Sequence, residues 1–174
     1  MTTNQESTLV IRHEIASDIE AITEVTKAAF ADVPISRQTE HFIIHALRAD
    51  GALTLSLVAE LDGEVIGHIA ASDVTFPDGC TGWHGLGPLS VTPECQRKGI
   101  GSALMKECLA RLRADGSKGC VLVGDPNYYV RFGFASWPDL THEGVPQENV
   151  MALSFSDTNA SGQVSFHPGF GATE

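Results

Sequence analysis

The residues best suited to chemistry lie in one turn, Gln96-Arg97-Lys98-Gly99-Ile100-Gly101, between the apolar run Leu89-Ser90-Val91 and a segment of helical periodicity that starts near Gly99. A strand that enters a helix through a glycine-bearing turn is an anion cradle. The first helical N–H groups have no partner within the helix and carry the positive end of its dipole, and glycine removes the Cβ that would hold a phosphate off the backbone. Arg97 and Lys98 sharpen this reading, because cations at a helix N-terminus are unfavourable until an anion arrives. A second chemical pair is Tyr128-Tyr129, in a short helix opened by Asp125 and Pro126 and closed by Gly133. A phenol with an ordinary pKa of about 10 stays protonated at neutral pH and can donate to a developing anion.

Proton acceptors are harder to single out. His84, on or near a strand, could serve as a base, although a lone histidine there more often fills a structural role, and Glu24 and Glu40 are equally unproven. His41 and His45 share a helix face at i, i+4, but no third ligand accompanies them and the glutamate of H-E-x-x-H is missing, so no metal site is expected. Cys80, Cys95, Cys108 and Cys120 are too widely spaced for C-x-x-C and read as reduced thiols. Gly85-Leu86-Gly87 precedes a strand and lacks a third glycine, which argues against a dinucleotide fingerprint. Neither G-x-x-x-x-G-K-[ST] nor G-x-S-x-G occurs. The net charge of −11 argues against a nucleic-acid partner. Between Arg97 and Arg131, however, seven cations face three carboxylates, a local +4. Such an island suits a small polyanion, and the acidic remainder suits a cationic co-substrate. Arg111 and Arg113 read as complements to a helix C-terminus.

The elements that must position these groups follow from length and pattern. With 174 residues, 43% of them hydrophobic, the chain is expected to form one globular domain over residues 1–174. No apolar run spans a membrane, and the N-terminus shows neither a basic region nor an apolar core of a signal peptide, so the expected compartment is the cytoplasm. A strand at Leu9 to His13 precedes a helix announced by a Ser17/Glu20 capping box, with Ile19, Ile22, Ala29 and Phe30 as its apolar stripe. A second helix is expected from Ser36 to Asp50, ending at Gly51. Strands at Leu53 to Leu61 and Val65 to Thr75 pair through an Asp62-Gly63 hairpin. A fourth strand, Leu86 to Thr92, the helix Gly99 to Ala114 and the buried run Cys120 to Val123 form a right-handed βαβ crossover with parallel strands. A short helix from Pro126 to Phe132, strands near Phe134 and at Val150 to Phe155, and an edge strand around Val164 to His167 complete the pattern. On the crossover helix Ile100, Leu104, Cys108 and Leu112, flanked by Ala103 and Leu109, face the core.

Taken with its flanks, the turn resembles the GNAT superfamily of N-acetyltransferases, whose hallmark is Q/R-x-x-G-x-G/A between a strand and a helix. Gln96, Gly99 and Gly101 fill its fixed positions. LGPLSVTP before it and GDPNYYVRFGF after it resemble the flanking blocks of the YhbS-like branch, and the element order fits from about Leu9 to Phe155. The resemblance implies an α/β (α+β) fold: a mixed, strongly twisted sheet of about six to seven strands, helices on both faces, and a splayed parallel pair forming the acetyl-CoA cleft. It implies acetyl-CoA as co-substrate and no metal. Main-chain groups of Leu89, Ser90 and Val91 would bond the pantetheine, and Gln96, Arg97, Lys98, Gly99, Ile100, Gly101 and Ser102 would cradle the pyrophosphate. Pro88 fits a strand with an open edge. Asn127 is a further cofactor contact by resemblance, although it stands closer to Tyr129 than in the common pattern. Tyr129, four residues before Gly133-Phe134, would protonate the departing thiolate. The implied reaction is direct attack by a primary amine, on a small molecule or peptide, in a ternary complex. A catalytically silent acyl-CoA-binding sensor or regulatory module keeps the same cradle, and turnover separates the two. A homodimer is left open, with the tail near Phe166 and Phe170 as one contact.

Overall fold

In the computed structural model, which describes residues 7–174, β1 (Leu9–His13) leads to α1 (Ile19–Phe30) and α2 (Glu40–Ala49), then to β2 (Leu55–Leu61), β3 (Glu64–Asp73) and β4 (Trp83–Val91). The first six residues, on which the expectation about a signal peptide partly rests, lie outside the described residues. α3 (Ile100–Ala114) crosses to β5 (Gly119–Val123). α4 (Pro126–Tyr129), continued by a 3-10 turn at Val130–Phe132, leads to β6 (Ala135–Ser136), β7 (Leu140–Thr141), β8 (Val150–Ser154) and β9 (Gly162–Gln163). One mixed, mostly antiparallel sheet has the order β1-β2-β3-β4-β5-β8-β6, and β7 pairs with β9 in a small parallel sheet. No helix among the described residues is long and apolar enough to cross a membrane.

Alternation along the strands sends side chains to opposite faces of the sheet. Leu57 and Ala59 of β2 pack under α3 with Leu104, Cys108 and Leu112, whereas Val58 faces the opposite side with Ile22 of α1 and Ile44 of α2. The α3 stripe is as expected, with Met105 also fully buried. Asp62 (φ 52°) and Gly63 (φ 85°) both take left-handed conformations, which matches their hairpin to the strand twist.

Two helix starts depart from the sequence pattern. No Ser17/Glu20 capping box forms; a 3-10 turn at Ala16–Asp18 leads in, and the Ile15 N–H donates to Asp18 Oδ2 at 2.8 Å. Asp18 takes the capping role because Arg12 of β1 draws its carboxylate inward at 2.7 Å, a contact that a local motif does not encode. α2 begins at Glu40 instead of Ser36, since Gln38 turns left-handed (φ 62°) and the Ser36 hydroxyl donates to Glu40. The tail also differs. The strand expected at Val164 to His167 is replaced by β9 at Gly162–Gln163, and Ser165 forms an isolated bridge to Thr75.

β4 is the element that shapes the site. It starts at Trp83, three residues before the expected Leu86, so Gly87-Pro88 lies inside the strand and not at an irregular start. Against β3, Leu86 pairs with Ala71 and Leu89 with Ile69, so β4 carries one extra residue at Gly87-Pro88, the position of a cis peptide bond. β4 and β5 pair in parallel only through Trp83, His84 and Gly85. Beyond Gly85 the two strands part.

Candidate active site

The gap opened by that bulge is lined by backbone. Thr92 N–H donates to Ile66 O at 2.8 Å, so the alternation of the ladder turns Ser90 toward β3, and the N–H and C=O of Leu89 and Val91 toward the gap. Of the expected Leu89 to Val91 contacts, Leu89 therefore offers its main-chain groups and Val91 its N–H, the Val91 carbonyl being taken by Gln96. The Ser90 hydroxyl is buried without a partner among the described residues.

At the end of β4 the chain makes a 3-10 turn, Pro93–Cys95, and enters the cradle. Arg97 (φ 63°) and Gly99 (φ 83°) are both left-handed, a conformation that glycine adopts freely and arginine at a cost. Successive N–H groups in such a turn converge into an anion-binding concavity. The first α3 bond runs from Ala103 N–H to Gly99 O at 3.0 Å, so the amides before Ala103 in that turn have no acceptor within the helix. No acidic residue occupies the first turn of α3. Gln96 has a positioning role as well, because its Nε2 donates to Val91 O at 2.9 Å and ties the turn to the strand end.

These groups line a cleft of about 530 Å³ together with Ile100, Gly101 and Ser102. Ala29 and Phe30, at the end of α1, wall its far side, and Cys95, Tyr128 and Arg131 complete it. Lys98 and Asn127 are exposed and stand outside that lining. The local positive charge narrows accordingly: Arg97 and Arg131 reach the cleft, whereas Arg111 pairs with Glu107 at 2.8 Å and Arg113 covers the Phe155 ring.

The two tyrosines occupy different places. Asp125 caps α4 as expected, accepting from Asn127 N–H at 2.9 Å, and Gly133 (φ 94°) ends the following turn. Tyr128 lines the cleft, its hydroxyl 3.5 Å from where a Cβ on Gly101 would stand, with the Arg131 guanidinium 4.3 Å from its ring centre. Tyr129 turns behind it, against Gly124 at the end of β5 and edge-on to Phe134. Burial, with smaller contributions from Tyr128 and Asp125, pushes the Tyr129 hydroxyl up to about 12. It stays a proton donor throughout the neutral range.

On the other side of the bulge lies a second cleft of about 570 Å³. Leu86 and Val123 form its floor, the connection after β7 supplies His142, Glu143 and Val145, and the C-terminal tail closes it with Phe166 and Phe170. Phe166 and Phe170 pack against each other with ring centres 5.1 Å apart, both half-buried. Sequence reasoning singled out none of the polar groups here. Two-residue strands carry no readable periodicity, and only β7 and β9 bring these segments together.

The candidate bases fall elsewhere. His84 is engaged at both nitrogens, Nδ1 2.7 Å from Ser117 Oγ and Nε2 3.2 Å from Asp73. Glu24 and Glu40 line a hollow of about 400 Å³ between α1 and α2, with Glu24 3.8 Å from Lys27. No group of three or more His, Cys, Asp or Glu among the described residues is arranged to hold a metal ion.

Comparison with known proteins gives a consistent set of likenesses. Residues 19–134 match the description "Acetyltransferase (GNAT) family". Over 127 residues the chain is 37% identical to the "Uncharacterized N-acetyltransferase YhbS" of Escherichia coli strain K12, covering 72% of this chain and 73% of that protein. A solved GNAT family acetyltransferase from Brucella melitensis, in complex with acetyl-CoA, is similar with a TM-score of 0.84 at 46% identity, over 94% of this chain and 98% of that one. The Escherichia coli GNAT family N-acetyltransferase YhbS, in complex with CoA, gives a TM-score of 0.88 at 31% identity, over 100% of this chain and 98% of that one.

Proposed function

This chain belongs to the acetyltransferase (GNAT) family, and from that premise we propose that it transfers the acetyl group of acetyl-CoA to a primary amine by direct attack in a ternary complex. The observation that carries the reading is the continuity of the first cleft, from the open edge of β4 to the unpaired amides at the start of α3. An arm that carries amides can complete the sheet edge at Leu89 and Val91, while a pyrophosphate accepts from the amides of the turn. A β4 N–H aimed into the gap can polarise the thioester carbonyl, and holding both reactants at one bulge supplies proximity.

Charge supports the same division of labour. The first cleft is lined by Arg97 and Arg131 and by no carboxylate, which suits a polyanion. The second is lined by Glu143 and by no lysine or arginine, which suits an ammonium. Tyr129 is the proposed proton donor to the leaving sulfur, from its position behind Tyr128. Four free thiols fit a reducing compartment, and the cytoplasm is the proposed one.

Thiol release from acetyl-CoA, followed across a panel of primary amines, tests the proposal. Amine-dependent release with a matching acetylated product is expected. Tight CoA binding with no release for any amine would leave the silent acyl-CoA-binding module as the better reading.

A further inference from the structure

An acceptor amine must lose a proton before it can attack the thioester, because an ammonium has no free lone pair. Resting on the acetyltransferase reading, we propose that Nε2 of His142 is the base that takes this proton, in the wall of the second cleft, and that the acceptor is a primary amine carried on an apolar body.

The hydrogen bonds single out this imidazole. His84 is engaged at both nitrogens and lines neither of the two larger clefts. His68 is buried, with Nε2 2.8 Å from Ser56 Oγ, and also lines neither. His167 does line the second cleft, but its Nδ1 accepts from Gly169 N–H at 2.9 Å and its Nε2 faces Asp50 at 3.3 Å, so no lone pair is left for a substrate. His142 differs from all three. Its Nδ1 lies 2.9 Å from Val164 O, and a carbonyl only accepts, so the ring proton sits on Nδ1 and the lone pair on Nε2. Phe166 fixes the ring plane edge-on, with centres 5.1 Å apart and planes at 75°. The same tail residues that close the cleft therefore set the tautomer and aim of its imidazole.

The surroundings suit an ammonium with an apolar body. Glu143, exposed beside His142, supplies an attracting charge, and Leu86, Val123, Phe166 and Phe170 supply apolar walls. The titratable groups facing His142 are Glu143 on its own segment and His167 on the tail, with Asp50 at the end of α2 behind His167. In the step, the ammonium gives one proton to Nε2, and the imidazolium later releases it to solvent. The freed lone pair forms the C–N bond to the acetyl carbon as the C–S bond breaks and its electrons leave on sulfur. Tyr129 gives sulfur a proton and recovers one from the attacking nitrogen. Each turnover thus delivers one proton to solvent.

The test uses the full chain, acetyl-CoA, and two probe amines, 2-phenylethylamine and putrescine. His142→Asn keeps a side-chain N–H near the position of Nδ1–H and removes Nε2; His142→Gln serves if that variant does not fold. Expected are CoA binding within twofold of wild type and a kcat/KM about 100-fold lower at pH 7. That deficit should shrink as the pH rises and the amine deprotonates by itself, a trend that a purely structural defect would not follow. The wild type should prefer 2-phenylethylamine by at least about tenfold, the worth of a modest apolar contact. Wild-type turnover matched by both variants at every pH overturns the base, and a preference for putrescine overturns the apolar acceptor. A wild type that releases no thiol with either probe or with any amine of the panel is the failure of the acetyltransferase reading itself, and this proposal falls with it.

Discussion

Tyr129 is held protonated because its ring is pressed into the core beside Gly124 and Phe134, where a phenolate would lose its water. Tyr129→Phe keeps the ring and its packing and removes only the donor. It should leave acetyl-CoA affinity within about twofold and lower kcat by about 100-fold, the lower end of the range for a general acid; isothermal titration and thiol release measure the two effects separately, and an unchanged kcat across pH 6–9 would take Tyr129 out of the reaction. Gly101 poses the complementary question. A Cβ there would meet Tyr128 Oη at 3.5 Å and Val91 Cγ2 at 3.7 Å, ordinary contacts, so Gly101→Glu should fold, with its carboxylate welcome at a helix N-terminus. The same carboxylate occupies the place proposed for phosphate. We expect thermal stability equal to or above wild type and CoA binding weaker by at least about 100-fold, or about 3 kcal/mol; native affinity in a folded variant would remove the cradle from cofactor binding.

α4 shows how a short element can place a reactive group. Four residues make no independently stable helix. Its start is held by Asp125, which accepts from Asn127 N–H through its side chain and from Tyr128 and Tyr129 N–H through its carbonyl. Asp125→Ala removes only the side-chain cap, at a cost of about 1 kcal/mol. Urea unfolding should show that loss, while kcat falls several-fold more than CoA affinity, because α4 carries both tyrosines but none of the cradle amides. A collapse of affinity at normal kcat would instead make α4 a cofactor clamp. β4 is the other decisive element. Its extra residue at Gly87-Pro88 ends the pairing with β5 after Gly85 and leaves the Leu89 and Val91 main chain facing the gap. At Gly85 an added Cβ would stand 2.7 Å from the Phe166 ring, so only glycine lets the tail close over the strand there.

Over the whole molecule, charge and burial are arranged so that stability depends on pH from the face opposite α3. Glu14 of the chain after β1 bonds Arg48 at 2.9 Å and Ser56, and Ser56 in turn bonds His68. Burial holds the His68 imidazole neutral, pushed down to about 4 from 6.5. Between those values the unfolded chain binds a proton that the folded one refuses, so this contribution is complete above about pH 6.5 and is lost as the pH falls toward 4, by about 3 kcal/mol in total. Burial raises the Glu14 carboxyl, but Arg48 and Ser56 outweigh it, and Arg12 holds Asp18 below the usual carboxylate range. Those two contributions are present above the ordinary carboxylate range and vanish at still lower pH. Urea unfolding at several pH values between 7.5 and 4.5 should show wild-type stability falling through this window. His68→Gln should be less stable at pH 7.5 yet flatter in slope, and equal slopes would mean that other groups carry the dependence.

What was legible in the chain was whatever the backbone does locally. The cradle turn, the Asp125 cap, the Asp62-Gly63 hairpin and the α3 stripe each depend on residues within a few positions of one another, so residue type and spacing were enough to read them. Gly87-Pro88 announced an irregular strand, though not that the irregularity is an internal bulge. The remaining decisions join segments far apart in sequence. Arg12 reaches across to Asp18 and Glu60 and displaces the Ser17 cap; Phe166 finds Gly85; Val164 fixes the tautomer of His142; Tyr128 faces the cleft while Tyr129 backs it. Local periodicity records which side chains prefer to be buried. Which of them meet, and which nitrogen keeps its lone pair, is set only when the strands pair and the tail closes over them.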